Sequence, residues 1–506
     1  MTAPVRDDKP SRSLRRSLSV WQAVGISVAL MAPSMAANIN PQGTAGLVGR
    51  ATPLAFFLAA IAVLLIAYVF VRLCQYYRHA GSVYVFAGAT LGARAGAIAG
   101  LGLMATYVFY ALVTSSAAGI FGASFLDIIG VWNNQPDWAG FLVGGIALAL
   151  ALALAVLPAR RAASVLLSVE GITVALILVV ALVVLVRMLA GNAPGDATFT
   201  MKVFTVPSGT DSSTLFLGII FGLLSFAGFE AAATLGEEAH NPKRVIPRAI
   251  LGTAIFGGIY FTVVTATEMM AFKPDAQGVK NFIASPALMG DLGTSYVGAW
   301  VGDIITLGAC VSAFASCLAC VVGGSRLLFA IARDLAPAHA LGNVGGNGTP
   351  AAAAAVITAV VAVIALVCAV VFGALPFDTF LWSGTIGTLI LLVAYVLATV
   401  GCIKLIWVDK KLTVPTWEIV IPVLALLMLV YTIYRNVIPY PTSGAARWFP
   451  VVAFGWLILV TVVMLAVPGL ARRLTAGLAA LDEPDLTETD DGRETAGGGP
   501  AGGGPG

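Results

Sequence analysis

The chain has 506 residues, of which 59% are hydrophobic and only 10% charged, and its mean hydropathy is +0.94. Soluble globular domains carry about 25% charged residues, so this composition excludes a soluble globular protein and points to a chain that crosses the membrane many times. The net charge of +3 is a matter of membrane topology and gives no reason to expect a nucleic-acid partner.

A helix rising about 1.5 Å per residue needs roughly 20 apolar residues to cross the hydrocarbon core. Twelve stretches qualify when broken ones are counted, starting near Val20, Thr52, Ala97, Trp138, Ala163, Thr214, Ala249, Val297, Pro350, Phe380, Thr416 and Trp448. Residues 1–18, with Arg6, Lys9, Arg12, Arg15 and Arg16, read as a basic cytoplasmic segment ahead of a retained first span. Residues 19–473 read as one membrane domain, and residues 474–506, acidic and then rich in Gly and Pro, as a disordered cytoplasmic tail. With the N-terminus inside, all but seven of the 28 Lys and Arg fall on the cytoplasmic side or in the short helix before span three. The seven are Arg50, Arg187, Lys202, Lys273, Lys280, Arg435 and Arg447. This asymmetry places both termini in the cytoplasm of a multi-pass protein of the cytoplasmic membrane.

Span one is interrupted at Met31-Ala-Pro-Ser-Met35, because Pro33 lacks an amide donor and clashes with the preceding turn. Span six is interrupted at Ser225-Phe-Ala-Gly228 and carries Glu230 just beyond. Backbone leaves a helix at membrane depth only where protein or a water-filled cavity receives it, and a carboxylate there is costly unless it has work to do. Two broken helices at matching positions of two five-span halves, about 19–190 and 213–405, point to an inverted-repeat transporter with its site near the midplane. Residues 416–470 supply two extra helices.

A second buried acid, Glu170, sits in span five, where it suits proton carriage, cation coordination, attraction of a substrate amine or a purely structural tie. Tyr107 and Tyr110 on span three are positioned to line a pathway, since aromatic faces suit apolar groups and cations. Glu268 and Asp303, near the outer ends of spans seven and eight, read as interfacial or gating charges. The six cysteines lie in or beside spans, and Cys317-x-x-Cys320 has no nearby His or further Cys, so small-residue packing is expected there and no metal. No span pairs a nucleophile with a His base or shows a phosphate-binding glycine loop, so no enzymatic activity is expected.

The loop after span six reads Phe226-Ala-Gly-Phe-Glu230 and then Glu237-Glu-Ala-His-Asn-Pro-Lys-Arg-Val-Ile-Pro247. Ser325-Arg-Leu-Leu-Phe-Ala-Ile-Ala-Arg-Asp334 follows span eight, and Gly81-Ser-Val-Tyr-Val-Phe86 opens span three. These motifs resemble the signature of the amino acid, polyamine and organocation permease superfamily over nearly the whole chain except the tail. The resemblance implies an all-α integral membrane protein of the leucine-transporter type: twelve helices, a 5+5 inverted repeat with helices 1 and 6 broken, and two C-terminal helices. It implies alternating-access transport of an amino acid or related small amine, with no bound cofactor and with a proton as coupling ion, sodium being the alternative. A putrescine or polyamine carrier, an exchanger and a non-transporting membrane sensor are the alternative functions.

By the same resemblance, Ala32, Pro33, Ser34, Tyr107, Ser225, Phe226, Ala227 and Gly228 would form the substrate site, with Phe226 an aromatic gate. Glu230 and Glu170 would serve coupling, and Ser312 and Ser316 on span eight would offer hydroxyls to a sodium site or simply pack. Glu237, Glu238, Arg244 and Arg326 would form an inner gate, the alternative being a solvated charged loop. Span one departs from the glycine-rich turn with which relatives hold a substrate carboxylate, and its Met-Ala-Pro run looks more like that of putrescine importers.

Overall fold

The computed structural model describes residues 19–77, 83–157, 160–235, 241–335, 341, 349–467, 469–470 and 473. Their regular structure is entirely helical, with no strand among the described residues. Nine helical segments among them are long and apolar enough to cross a membrane, and two shorter ones, Ala139–Ala155 and Ser212–Ser225, are apolar. The chain is therefore a multi-pass membrane protein.

The first segment, Val20–Tyr76, is not one rod. It comprises α1 (Val20–Met31), α2 (Pro33–Val48) and α3 (Thr52–Tyr76), with a break at Ala32, which adopts a left-handed φ of 47° that an alanine rarely takes. Pro33 is the first residue of α2, where a missing amide costs nothing and the fixed φ favours the helix. The next elements are α4 (Val83–Leu91), α5 (Ala93–Ile128), α6 (Ala139–Ala155) and α7 (Arg160–Leu189). Then α8 (Leu215–Ser225) stops at mid-depth, and a single turn of 3-10 helix, Ala231–Leu235, follows the gap.

Beyond it run α9 (Pro242–Ala271), the short helices α10 (Ala276–Ala284) and α11 (Leu288–Tyr296), and the long α12 (Ala299–Leu335). The remaining helices are α13 (Ala351–Val370), α14 (Pro376–Ile403), α15 (Val420–Val437) and α16 (Trp448–Ala466). One apolar cluster takes in buried residues from each of α1 to α16, with the long helices α5 and α12 running through it. At its edge, Arg72 of α3 pairs with Glu418 at 2.5 Å, and Tyr68 donates to the same carboxylate, which fixes the start of α15.

Lipid gives helices no hydrophobic reason to associate, so close packing must come from small residues. The α5–α6 contact illustrates this. A Cβ at Gly119 would sit 2.0 Å from the Gly140 carbonyl oxygen, and one at Gly144 would sit 2.6 Å from that of Ser115. Backbone thus meets backbone, and neither helix can yield without moving whole. We expect Gly119→Ala to destabilise the protein by about 1–3 kcal/mol through overpacking. Gly145→Ala, on α6 beside Gly144 and with open space around it, is expected to leave the thermal midpoint in detergent unchanged. Equal shifts for the two variants would contradict this packing.

Candidate functional site

The first helical break is best understood by following its amides. Pro33 has none, Ser34 donates to Glu170 Oε1 at 2.9 Å, Met35 donates to Ser312 Oγ at 3.3 Å, and Ala36 donates to the carbonyl of Ala32 at 2.9 Å. The four donors that a helix start ordinarily leaves orphaned are accounted for. On the other side of the break, Ser316 donates to the Leu30 carbonyl at 3.4 Å and Tyr260 to that of Pro33 at 3.3 Å. Glu170, on α7, and Ser312 and Ser316, on α12, therefore meet around α2's first turn. The Ser34 hydroxyl is buried among them with no hydrogen-bond partner.

The second break runs from Phe226 to Glu230. Gly228 adopts a φ of +102°, and a Cβ there would lie 2.9 Å from the Leu30 side chain of α1, so the two breaks touch. Ser27 of α1 accepts from the Ala232 amide at 3.0 Å, joining the half-helices on that side.

Next to the breaks lies a cavity of about 310 Å³, the lower end of the size range for small-molecule sites. Leu30 and Met31 face it from α1, Met35 from α2, and Ala227, Gly228 and Glu230 from the gap after α8. Tyr107, Tyr110, Ser316 and Arg326 face it from α5 and α12. Glu230 Oε1 accepts from Tyr395 of α14 at 2.8 Å, while Oε2 has no hydrogen-bond partner. Tyr107 lies against Gly323, whose missing side chain makes room for the ring.

The expected substrate residues thus fall into two sets. Tyr107, Ala227 and Gly228 line the cavity. Ala32, Pro33, Ser34, Ser225 and Phe226 are buried behind it. Ser225 accepts from Asn40 at 2.7 Å and donates to the Phe221 carbonyl at 2.9 Å. Phe226 packs edge-on against Phe261 of α9, at a centroid distance of 5.2 Å, facing away from the cavity. Arg326 lines the cavity, Arg244 is exposed at the start of α9, and Glu237 and Glu238 lie outside the described residues.

Glu268 departs from its interfacial reading. It is fully buried on α9, and neither carboxyl oxygen has a hydrogen-bond partner. The helix that carries it is covered on that face, which hydropathy alone does not reveal. Sequence reasoning also missed Tyr395, a lone aromatic of an apolar span whose role appears only through its bond to Glu230.

Away from the cavity, α2 is fastened by polar side chains. Asn38 Oδ1 accepts from the Met289 and Gly290 amides at 2.9 and 3.2 Å, so a side chain of α2 caps the N-terminus of α11. Gln42 donates to the Ser285 carbonyl at 2.5 Å, and Thr44 to that of Gly218 at 3.0 Å. Ser285 in turn donates to Asp291 of α11 at 2.6 Å.

Broken apolar helices around a small cavity, with a half-free carboxylate inside it, are what a membrane transporter calls for. The comparisons agree. The family model described as amino acid permease matches residues 22–473, and the chain belongs to that family, within the amino acid, polyamine and organocation superfamily. It is a permease and not an enzyme. It is similar to the low-affinity putrescine importer PlaP of Escherichia coli strain K12, 28% identical over 329 residues that cover 63% of this chain and 68% of that one. It is also similar to the branched-chain amino acid permease BcaP of Lactococcus lactis, 25% identical over 375 residues covering 72% and 76%. The uncharacterized transporter Rv1999c of Mycobacterium tuberculosis is 27% identical over 285 residues, covering 50% and 62%.

Two outcomes follow from the fastened half of helix 1. Asn38→Ala removes both bonds to α11 and, at about 0.5–2 kcal/mol for a lost N-cap, is expected to speed hydrogen exchange across Leu288–Tyr296 several-fold. Burial lifts the Asp291 carboxyl above its ordinary value, while the Ser285 hydroxyl acts in the opposite direction. Docked α11 therefore holds that proton more tightly than the undocked segment does. Docking is strongest below the ordinary aspartate value of about 3.9 and weakens as pH rises through the docked value. Exchange protection of α11 should be greater at low pH than at neutrality, and Asp291→Asn should flatten the difference.

Proposed function

We propose that this protein is a secondary active transporter that carries a small amine-bearing organic solute, foremost an amino acid, across the cytoplasmic membrane by alternating access. In this reading twelve spans form two inverted five-helix repeats, about 19–190 and 213–405, with two further helices at about 416–470, and both termini lie in the cytoplasm. The observation that carries the reading is the meeting of the two breaks, Gly228 against Leu30, beside a cavity holding Glu230 with one free carboxyl oxygen. A primary amine brings three donors and a positive charge to such an acceptor. Tyr107 and Tyr110 offer aromatic faces to a cation or an apolar side chain.

A proton is the proposed coupling ion, taken by Glu230, with Glu170 as the second acid. Emptying the cavity leaves Glu230 without its cationic partner, so proton and solute are linked through one carboxyl group. Sodium is the alternative, with Ser312, Ser316 and Glu170 offering oxygens at the helix 1 break.

A second reading, a putrescine-type diamine carrier, is favoured by the spent amides of Ser34 and Met35, which leave no anion cradle there. The Arg326 guanidinium in the same cavity opposes a dication.

The deciding experiment is uptake of labelled neutral amino acids and of putrescine into proteoliposomes under an inward proton gradient and, separately, a sodium gradient. Proton-driven amino acid accumulation is expected, falling about tenfold or more in Glu230→Gln, as befits loss of a charge-assisted contact. Accumulation that survives in Glu230→Gln would overturn the coupling role. Uptake confined to putrescine would establish the second reading.

A further inference from the structure

The N-terminus of a half-helix at membrane depth is the natural place to hold a substrate carboxylate, because its free amides and its dipole both favour an anion. In this chain that place is taken. The Ser34 amide is spent on Glu170, a resident carboxylate, and the Met35 amide on Ser312. Pro33 has no amide, Ala36 bonds within the backbone, and Ser34 is fully buried behind the cavity. A substrate carboxylate arriving in the cavity would have to expel Glu170 from its own amide to bind there.

The cavity offers one alternative. Arg326, on α12, is the only Lys or Arg among its lining residues, and it makes no hydrogen bond or ion pair among the described residues. Tyr107, Glu230 and Arg326 line the same cavity, and Tyr107 lies within electrostatic reach of both other residues. Tyr395 holds Glu230 from the side of α14. A guanidinium is a planar fork of donors matched to a carboxylate, and this one, on an exposed residue, has no partner among the described residues.

We propose that Arg326 is the residue that reads the substrate's carboxylate, in place of the helix 1 amides filled by Glu170, and so sets the preference for amino acids over amines lacking that group. The inference rests on the transporter reading above and deepens it. Arg326 acts by direct contact with the solute, and not only as a latch of the inner gate.

The test pairs neutral amino acids with their decarboxylated amines, leucine with 3-methylbutylamine among them, as substrates for proteoliposomes of wild type, Arg326→Gln and Arg326→Lys. Wild type is expected to prefer the amino acid of at least one pair. In Arg326→Gln the KM for that amino acid should rise about tenfold or more, the loss expected of a hydrogen bond to a charged group. The KM for the matched amine should change less than about twofold, which also shows that the variant is folded. Arg326→Lys, a point charge without the fork, should fall between the two. A rise of equal size for both members of a pair would assign Arg326 to gating or structure and overturn the proposal. So would a wild type that carries the amines and rejects the amino acids, while leaving the transporter reading intact. A wild type that moves neither class would sink that reading and this one together. If Arg326→Gln does not fold, the Lys variant carries the same comparison, and an unchanged ratio of the two KM values would be decisive against the proposal.

Discussion

The bond from the Ser34 amide to Glu170 is the contact on which the central architecture depends. A helix broken at membrane depth exposes donors that neither water nor lipid satisfies, and each unsatisfied one costs about 1–3 kcal/mol. Glu170 answers with a carboxylate at a helix N-terminus, where the dipole favours negative charge by about 0.3–1 kcal/mol and up to about 2 when partly buried. The same bond ties α7 to α2, and Ser312 adds α12. Because Pro33 contributes no amide, two side chains suffice to close the account of the first turn. Break and brace form one unit: without the acid on α7, the interruption in helix 1 would lack its acceptor.

That brace divides the broken helices into two unequal sides. On one side α2 is held by Asn38, Asn40, Gln42 and Thr44, each bonded to another element or its own helix and all buried. On the other, α1 and the segment after α8 touch through Gly228 and Ser27, and the cavity opens between them and the α5–α12 pair. An exchange of the closed side would have to undo discrete bonds, beginning with the two that Asn38 makes to α11. If the proposed alternating access holds, those bonds are the ones it would have to exchange for others, and a few hydrogen bonds are on the scale by which a bound solute shifts a population.

Much of this was legible in the sequence, for reasons that can be stated residue by residue. Pro33 marks the first break because it has no amide, and Gly228 marks the second because it alone of its neighbours takes a positive φ readily. Glu170 and Glu230 stand out because acids are rare in apolar spans. What could not be read was direction. Phe226 and Ala227 are adjacent, yet one packs on α9 while the other faces the cavity, and that choice is made by helix rotation where the regular period has been lost. Glu268 illustrates the same limit, since a position near a helix end can be open or covered depending on what the following loop does. Here the loop contains α10 and α11. Tyr395 carried no signal at all, being one aromatic among many apolar residues.

The arrangement of charge in the cavity bears on selectivity more than its volume does. A Glu and an Arg that paired with each other would neutralise the site and leave little for a solute to gain. Here Tyr395 holds one oxygen of Glu230, Arg326 of α12 has no partner among the described residues, and both line the cavity with Tyr107. The two charges are thus kept available separately. A zwitterion can satisfy both, a monoamine only the acid, and a dication meets one favourable and one opposing charge. Discrimination of this kind comes from the groups left unpaired by the wrong solute, which cost more than the right solute's contacts gain. With the first-turn amides of α2 filled by Glu170 and Ser312, no free anion site remains there, and under the proposal above the choice of substrate falls to side chains that line the cavity.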